Sequence, residues 1–443
     1  MQKNSVIAWA LVVAMGGFLF GFDTAVISGA EKAIQAHWNL NVFEHGLTVS
    51  IALIGTVIGS LIGSIPSDRY GRKNTLYLVG ALYLISSLGS AVSTEWSMFL
   101  MFRLVGGFGV GMSSVTAPVY ISEISPANSR GRLVALFQLN IVLGILVSYF
   151  SNYLIGQGGE ASWRWMLGVQ AFPSALFLAL ITLVPESPRW LVLHKGKDAE
   201  ALAVLKRINP NNFEQELAAI KQSHIPLKKN EKPASLLSAK YKTPVTLAIL
   251  FAVFNQVSGI NAIIYYSPRI FEMAGLGTHT SLLSTVGIGL VNFMFTLLAI
   301  GFIDRIGRKT LMMIGSVGLI VSLGLVSRTF FSNDFSGYAI TVYLMVYIAF
   351  FAFSQGAVIW VFISEIFPNE VRAKGQTLGS STHWIMAAAI AFSFPYLSEI
   401  AGGGNTFLFF SVMMVLQLVF VWRLMPETKG KSLEKIETAM VMH

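Results

Sequence analysis

The chain has 443 residues, 54% of them hydrophobic and only 12% charged, and it contains no cysteine. Soluble domains carry roughly 25% charged residues, so this chain is solvated mainly by lipid; the missing thiols exclude disulfides, thiolate metal sites and cysteine nucleophiles. The net charge of +9 is distributed over loops beside apolar stretches, which points to anionic lipid headgroups and away from nucleic acid.

Twelve apolar stretches are each long enough, at about 1.5 Å per residue, to cross a hydrocarbon core of roughly 30 Å. They run over 6–29, 46–66, 75–93, 98–121, 133–156, 164–184, 244–273, 281–303, 310–330, 339–363, 375–399 and 405–425. The first carries Trp9, glycines and Asp23 but no cleavage site, so it reads as a retained helix and not as a signal peptide. Residues 185–243 form the one long polar stretch. Within it, 198–222 reads as short amphipathic helices, with Ala201, Leu202, Val204, Leu205 and Ile208 on one side. The expectation is an all-α membrane protein: a six-helix bundle over 1–184, a cytoplasmic linker with short helices over 185–243, and a second six-helix bundle with a short tail over 244–443.

With both termini inside, the cytoplasmic segments hold 26 of the 31 Lys and Arg residues, 11 of them in 185–243. That bias sets the orientation. The absence of any Asn-x-Ser/Thr sequon fits a bacterial inner membrane. The 17 residues after Pro426 are too few for a signalling domain, which disfavours a sugar sensor.

The two halves repeat each other. Asp68-Arg69-Tyr70-Gly71-Arg72-Lys73 returns 236 residues later as Asp304-Arg305-Ile306-Gly307-Arg308-Lys309. Tyr120-Ile121-Ser122-Glu123-Ile124-Ser125-Pro126 with Arg130 returns 242 later as Phe362-Ile363-Ser364-Glu365-Ile366-Phe367-Pro368 with Arg372. Pro185-Glu186-Ser187-Pro188 is echoed 241 later by Pro426-Glu427-Thr428. A duplicated membrane bundle with charged motifs at matching loops is the architecture of a transporter that rocks around a central site. At the cytoplasmic rim, Glu123 and Glu365 can pair with the arginines of the repeated loops and lock or release the bundles. The plainer reading is that these charges anchor loops in headgroups, which needs no glutamate partners.

Asp23 and Arg103 are expected to pair. An intramembrane charge costs at least about 2.5–3.5 kcal/mol and is normally partnered and functional. Helix rise places Asp23 about 25 Å above the inner boundary and Arg103 about 8 Å below the outer one, nearly the same depth in a core of roughly 30 Å. A buried carboxyl holds its proton in an apolar setting and releases it beside a guanidinium. A conformational change that alters the pairing therefore couples protons to transport; the alternative is a permanent structural salt bridge. Gln256, Asn292 and His383 come to mid-depth, about 12–18 Å into their spans. Neutral amides there suit a hydroxyl-rich, uncharged cargo; singly, each is as well explained as a helix–helix hydrogen bond. Gly259 permits the seventh span to unwind beside Asn261.

The ensemble resembles the sugar porter family of the major facilitator superfamily. Its motifs are matched, in order, by Gly21-Phe22-Asp23-Thr24-Ala25-Val26-Ile27-Ser28-Gly29, the two Asp-Arg-x-Gly-Arg-Lys loops, Arg103-Leu104-Val105-Gly106-Gly107, Pro185-Glu186-Ser187-Pro188-Arg189-Trp190, Gln256-Val257-Ser258-Gly259-Ile260-Asn261 with Tyr265-Tyr266, and Pro426-Glu427-Thr428-Lys429-Gly430. The resemblance implies the major facilitator fold and monosaccharide import by proton symport, and no enzymatic activity. Aspartate at position 23 resembles the proton symporters, where many passive facilitators carry asparagine. Sugar contacts are implied for Gln138, Asn255, Gln256, Asn261, Asn292, Trp360, His383 and Trp384, and an outer gate for Tyr265 and Tyr266. Gly356 is implied in gating, as is the rim network of Arg69, Arg72, Glu123, Arg130, Arg305, Arg308, Glu365 and Arg372. Phe18 and Phe22 add apolar walls.

Four positions depart from the family pattern. Asn255 replaces a second glutamine, His383 replaces a glutamine or asparagine, Gly356-Ala357 replaces Gly-Pro, and Gln170 stands where some proton-coupled relatives carry a carboxylate. These leave the particular sugar open, with a polyol or cyclitol as an alternative cargo and a passive facilitator as the alternative mechanism. The expected partners are a monosaccharide, protons and the bilayer, with a working monomer and no metal or cofactor. His37, His45, His194, His224, His279 and His443 show no ligand spacing and read mostly as solvated loop residues.

Overall fold

The computed structural model describes residues 2–429 apart from 127–128, 160, 224–234, 237, 334, 336–337 and 369–370. Among the described residues the chain is helical, with no strand. The first half contains α1 (Gln2–His37), α2 (Val42–Ile62), α3 (Ser64–Tyr70), α4 (Arg72–Val92), α5 (Trp96–Ile124), α6 (Arg130–Ile155), α7 (Ser162–Gly168) and α8 (Ala171–Ile181). The linker holds α9 (Pro188–Lys195), α10 (Asp198–Ile208) and α11 (Phe213–Ser223). Then come α12 (Lys242–Val257), α13 (Ile260–Met273), α14 (Thr278–Ile306), α15 (Arg308–Ser332), α16 (Ala339–Phe353), α17 (Gln355–Ile366), α18 (Arg372–Ile400) and α19 (Gly402–Arg423).

Eleven spans among the described residues are long and apolar enough to cross a membrane. In chain order, α18 stands where the eleventh of the twelve expected spans falls. Its 29 residues reach roughly 43 Å at helical rise, but Lys374, Gln376, Thr377, Ser380, Ser381, Thr382 and His383 in its first half lower its apolarity. Three of these described spans are broken helices, the sixth between α7 and α8. The seventh divides between α12 and α13 at Gly259, whose φ of 85° is left-handed. The tenth divides between α16 and α17 at Ser354, with φ −117° and ψ −88°.

Packing groups the chain into two compact units that cut across the sequence halves. The first comprises Met1–Val26, Ile54–Ser148 and Arg164–Lys232; the second comprises Ile27–Leu53, Tyr149–Trp163 and Pro233–His443. In the first unit glycines bring helix backbones together. A Cβ on Gly21 would lie 1.8 Å from the Ile141 carbonyl oxygen, and one on Gly144 would lie 2.1 Å from that of Phe18, so α1 and α6 touch through both. The linker helices form a small core of their own from Trp190, Leu191, Val192 and Ala201, with Leu217 and Ile220 against it. Ser187 caps α9 by accepting from Trp190 N at 3.2 Å, Pro188 starts it, and Gly196 ends it at φ 64°. The second unit has a larger core that includes Leu247, Phe251, Phe362, Ile363 and Phe420, with the Phe251 and Phe362 rings stacked 5.2 Å apart.

Candidate functional site

The sequence repeat becomes a repeated structure. In the first unit Gly71, at φ 100°, ends α3 and lets α4 begin at once with Arg72. Glu186 accepts from the backbone N–H groups of Arg72 at 3.0 Å and Lys73 at 3.1 Å, satisfying donors that a helix start leaves orphaned. The Arg72 guanidinium grips both oxygens of Glu123, Nε to Oε2 at 3.0 Å and Nη2 to Oε1 at 3.1 Å, and reaches Asp68 at 3.0 Å. Ser187 Oγ donates to the same Glu123 at 2.5 Å.

The second unit repeats the scheme. Gly307 has φ 100°, and Glu427 accepts from Arg308 N at 2.9 Å and Lys309 N at 3.0 Å. Arg308 Nη2 meets Glu365 Oε1 at 2.8 Å, and Thr428 Oγ1 donates to Glu365 Oε2 at 2.6 Å. Burial drives the Glu186 carboxyl up, and its backbone donors and Arg72 do not offset this, so it lies above the ordinary carboxylate range. Burial also acts on Glu427, but there the N–H groups of Lys429, Arg308, Lys309 and Thr428 outweigh it and hold the carboxyl below that range. Arg69, Arg130 and Arg305 are exposed. Arg372 is half-buried and donates to Phe367 O at 3.2 Å. The Asp304 side chain, His224 and His443 lie outside the described residues.

Asp23 and Arg103 do meet. Arg103 Nη1 donates to Asp23 Oδ1 at 2.8 Å and Nη2 to the Asp23 carbonyl at 3.2 Å, with both side chains 2% exposed. Gly106, one turn beyond Arg103, lets Ser86 pack close beside the pair: a Cβ there would lie 2.4 Å from Ser86 Oγ, while Asp23 Oδ1 would stay at contact distance, 3.4 Å. Arg103 Nε is buried without a partner, so the pair is not fully satisfied. Gln170, also buried, turns its amide to the Leu19 carbonyl at 3.4 Å.

In the second unit the break at Gly259 gathers the predicted polar residues. Gln256 Oε1 accepts from Asn261 Nδ2 across the break at 2.6 Å, and Gln256 Nε2 donates to Asn255 Oδ1 at 3.0 Å. The same Nε2 stands 3.2 Å from the His383 ring nitrogens. The His383 ring lies 4.9 Å from that of Trp360 and edge-on to Trp384 at 4.8 Å. Asn292 is buried on α14, and Gly356 sits in the first turn of α17. The free Ser258 carbonyl is taken by Tyr347 Oη at 3.0 Å. Tyr265 and Tyr266 are buried; Tyr266 leaves helical geometry (φ −123°, ψ 17°) and donates to Ala391 O at 2.9 Å. Gln138, in the first unit, is half-buried on α6, and Phe18 and Phe22 sit on α1 with ring centroids 6.1 Å apart.

A two-fold repeat, a paired intramembrane carboxylate and a cluster of neutral amides at a helix break agree with comparison to known proteins. The family model described as "Sugar (and other) transporter" matches residues 9–440. The chain belongs to the sugar transporter family. It is 37% identical to the arabinose-proton symporter of Bacillus subtilis over 98% of this chain and 94% of that protein. It is 34% identical to the D-xylose-proton symporter of Escherichia coli over 98% of this chain and 96% of that one. An inward-open structure of the xylose transporter XylE from E. coli superposes with a TM-score of 0.87 at 32% identity, covering 98% of this chain and 99% of that one.

As a member of this family the protein is a multi-pass membrane transporter and not an enzyme. One expectation needs correcting. His37, His194 and His279 are exposed, but His45 is 0% exposed within α2 and bonded to the buried Glu31. Sequence reasoning missed this because His45 stands at the very start of an apolar stretch. The available signal was Glu31, a second carboxylate on α1 eight residues after Asp23, where any charge calls for a partner. The roles of Glu186 and Glu427 were likewise visible only as a repeat.

Proposed function

We propose that this protein imports a monosaccharide, a hexose or pentose, together with a proton by alternating access. It would work as a monomer in a bacterial inner membrane with both termini cytoplasmic. The observation that carries this reading is the buried Asp23–Arg103 ion pair, which gives the transport cycle a carboxylate whose proton affinity depends on its partner. The names of the relatives, arabinose-proton and D-xylose-proton symporters, support it. Gln138, Asn255, Gln256, Asn261, Asn292, Trp360, His383 and Trp384 would meet the sugar, amides on hydroxyls and indoles on the ring face.

Residues 1–184 and 244–443 would rock against each other, tethered by 185–243. Gly356 would take part in gating, and Tyr265 and Tyr266 would serve the outer closure. The rim set of Arg69, Arg72, Glu123, Arg130, Arg305, Arg308, Glu365 and Arg372 would serve the cytoplasmic one. An inward potential supplies about 2.3 kcal/mol per charge for each 100 mV, enough for tens-fold accumulation; a facilitator accumulates nothing.

The test is uptake of D-xylose, L-arabinose and D-glucose, each against polyol competitors, into proteoliposomes under an imposed pH gradient. The expected result is accumulation by the natural protein, and exchange without accumulation by Asp23→Asn. Full accumulation by that variant ends the coupling role. Indifference of the natural protein to the gradient leaves a passive carrier, and displacement by a polyol but not by any sugar reassigns the cargo.

A further inference from the structure

The far ends of α1 and α13 and the start of α2 bring together ionisable groups that the transport reading does not use. Glu31 is 1% exposed and His45 0%. His45 Nε2 lies 2.5 Å from Glu31 Oε2, and Arg269 Nε donates to the other oxygen, Oε1, at 3.0 Å. Arg269 Nη2 continues to Gln35 Oε1 at 2.5 Å, and Lys32 pairs with Glu272 one turn further along. The His45 ring stands edge-on to Tyr266 with centroids 5.8 Å apart, and its Nδ1 is buried without a partner, so Nε2 carries the proton that Glu31 accepts. All of these residues belong to the second unit.

A carboxylate buried this deeply is tolerated only while both oxygens are engaged, because an unpaired buried charge is strongly destabilising. Apolar side chains of similar volume would join the same three helices without that cost. What this polar trio adds is a second stable state: once the helices part, water solvates Glu31, His45 and Arg269 together. Arg269 comes from the second sequence half, whereas Glu31 and His45 come from the first. The trio therefore ties together elements that alternating access has to separate.

We propose that Glu31, His45 and Arg269 form a latch that holds these helix ends together on the side opposite the Asp-Arg-x-Gly-Arg-Lys rim, and so sets how often the outer side opens to sugar. The inference rests on the topology proposed above. Because the chain has no cysteine, Ala36→Cys on α1 and Thr278→Cys at the start of α14, both exposed, give a clean pair for spin labels. Pulsed electron–electron resonance of the full chain in nanodiscs then reports the distance between the two ends. Loss of one charge-assisted hydrogen bond in Glu31→Gln is expected to raise the long-distance population about tenfold. Arg269→Gln should act in the same direction, and Arg269→Lys, which keeps a cation, should fall between it and the natural protein. Unchanged distance distributions in both glutamine variants, with monodisperse protein, overturn the latch; should Glu31→Gln fail to fold, the two Arg269 variants decide alone. Labelling of Thr278→Cys by a membrane-impermeant maleimide in intact cells tests the topology separately. Protection there overturns the outward placement, while the distances still decide whether the trio is a latch.

Discussion

Glu186 and Glu427 perform the same task in the two halves: each accepts the first two N–H groups of a helix that begins directly after a glycine at φ 100°. Their acidities diverge because Glu186 is the more deeply buried, whereas Glu427 keeps enough water and backbone donors to stay charged. The signs follow from linkage. The stabilisation from Glu186, whose proton is held more tightly in the folded state, is full below the ordinary carboxylate value and is lost as pH rises through the raised one. That from Glu427 is full above the ordinary value and is lost as pH falls through the depressed one. Thermal unfolding of Glu186→Gln and Glu427→Gln between about pH 3 and pH 7 should show changes in slope of opposite sign relative to the natural protein, above the ordinary carboxylate value for Glu186→Gln and below it for Glu427→Gln, and changes of the same sign would refute the asymmetry. Each substitution weakens a helix cap, a loss of about 1 kcal/mol.

The arginines after the two glycines should not be equally costly to remove. Arg72 grips Glu123 through two nitrogens, with the side chains 9% and 10% exposed, whereas Arg308 meets Glu365 through one nitrogen, with Glu365 22% exposed. Arg72→Ala leaves a nearly buried carboxylate unpaired and is expected to destabilise by about 3–5 kcal/mol. Arg308→Ala should cost less, since water reaches its glutamate. Unfolding midpoints of the two purified variants in one detergent decide the order.

Gly21 offers a packing test. Its missing Cβ leaves room for the Ile141 carbonyl, and Gly144 does the same for that of Phe18. Gly21→Ala must push α1 from α6 and is expected to destabilise by about 1–3 kcal/mol or more. Gly301→Ala, with nothing within 4 Å of the added carbon, should be neutral or slightly stabilising. Comparable losses in both would show that helix propensity and not close approach governs Gly21.

At the broken seventh span, Gly259→Ala meets two obstacles: a left-handed φ of 85° and a Cβ 2.6 Å from the Phe410 ring. The backbone strain alone is about 1–2 kcal/mol. Because Gln256 and Asn261 bond to each other across that break, the expected result is sugar affinity reduced by about tenfold or more, read from concentration dependence of uptake. Retention of full affinity would separate the break from binding.

His383 should set preference among sugars. It faces Gln256 and two indole rings from a buried position, where neutral imidazole presents one donor and one acceptor while an amide presents both on one planar group. His383→Gln is expected to change the relative inhibition by D-xylose, L-arabinose and D-glucose by about tenfold for at least one of them. An unaltered inhibition order would reduce His383 to packing.

Much of this site was legible in one dimension because lipid punishes exceptions. A charge within an apolar span is conspicuous, so Asp23 and Arg103 could be paired from helix rise alone. The duplicated loops advertise their own structure, since a glycine that must take positive φ and a glutamate that must cap the next helix recur at matched spacing. The break at Gly259 was foreseeable from the residue, but that at Ser354 was not, because serine is ordinary inside a helix.

What the sequence by itself determined is the membrane class, the duplication, the expected cytoplasmic side and the residues to suspect, all of which depend on composition, spacing and the cost of charge in hydrocarbon. Beyond the Asp23–Arg103 pair, only the tertiary structure decided which partner each charge takes. Glu123 and Glu365 bond to the arginine of their own repeat, the Glu186 carboxyl becomes a weaker acid while its counterpart becomes a stronger one, and His45 leaves the solvent for Glu31, whose other oxygen Arg269 holds. Those outcomes depend on distances of a few ångströms between helices far apart in the chain, and hydrophobic periodicity carries no record of them.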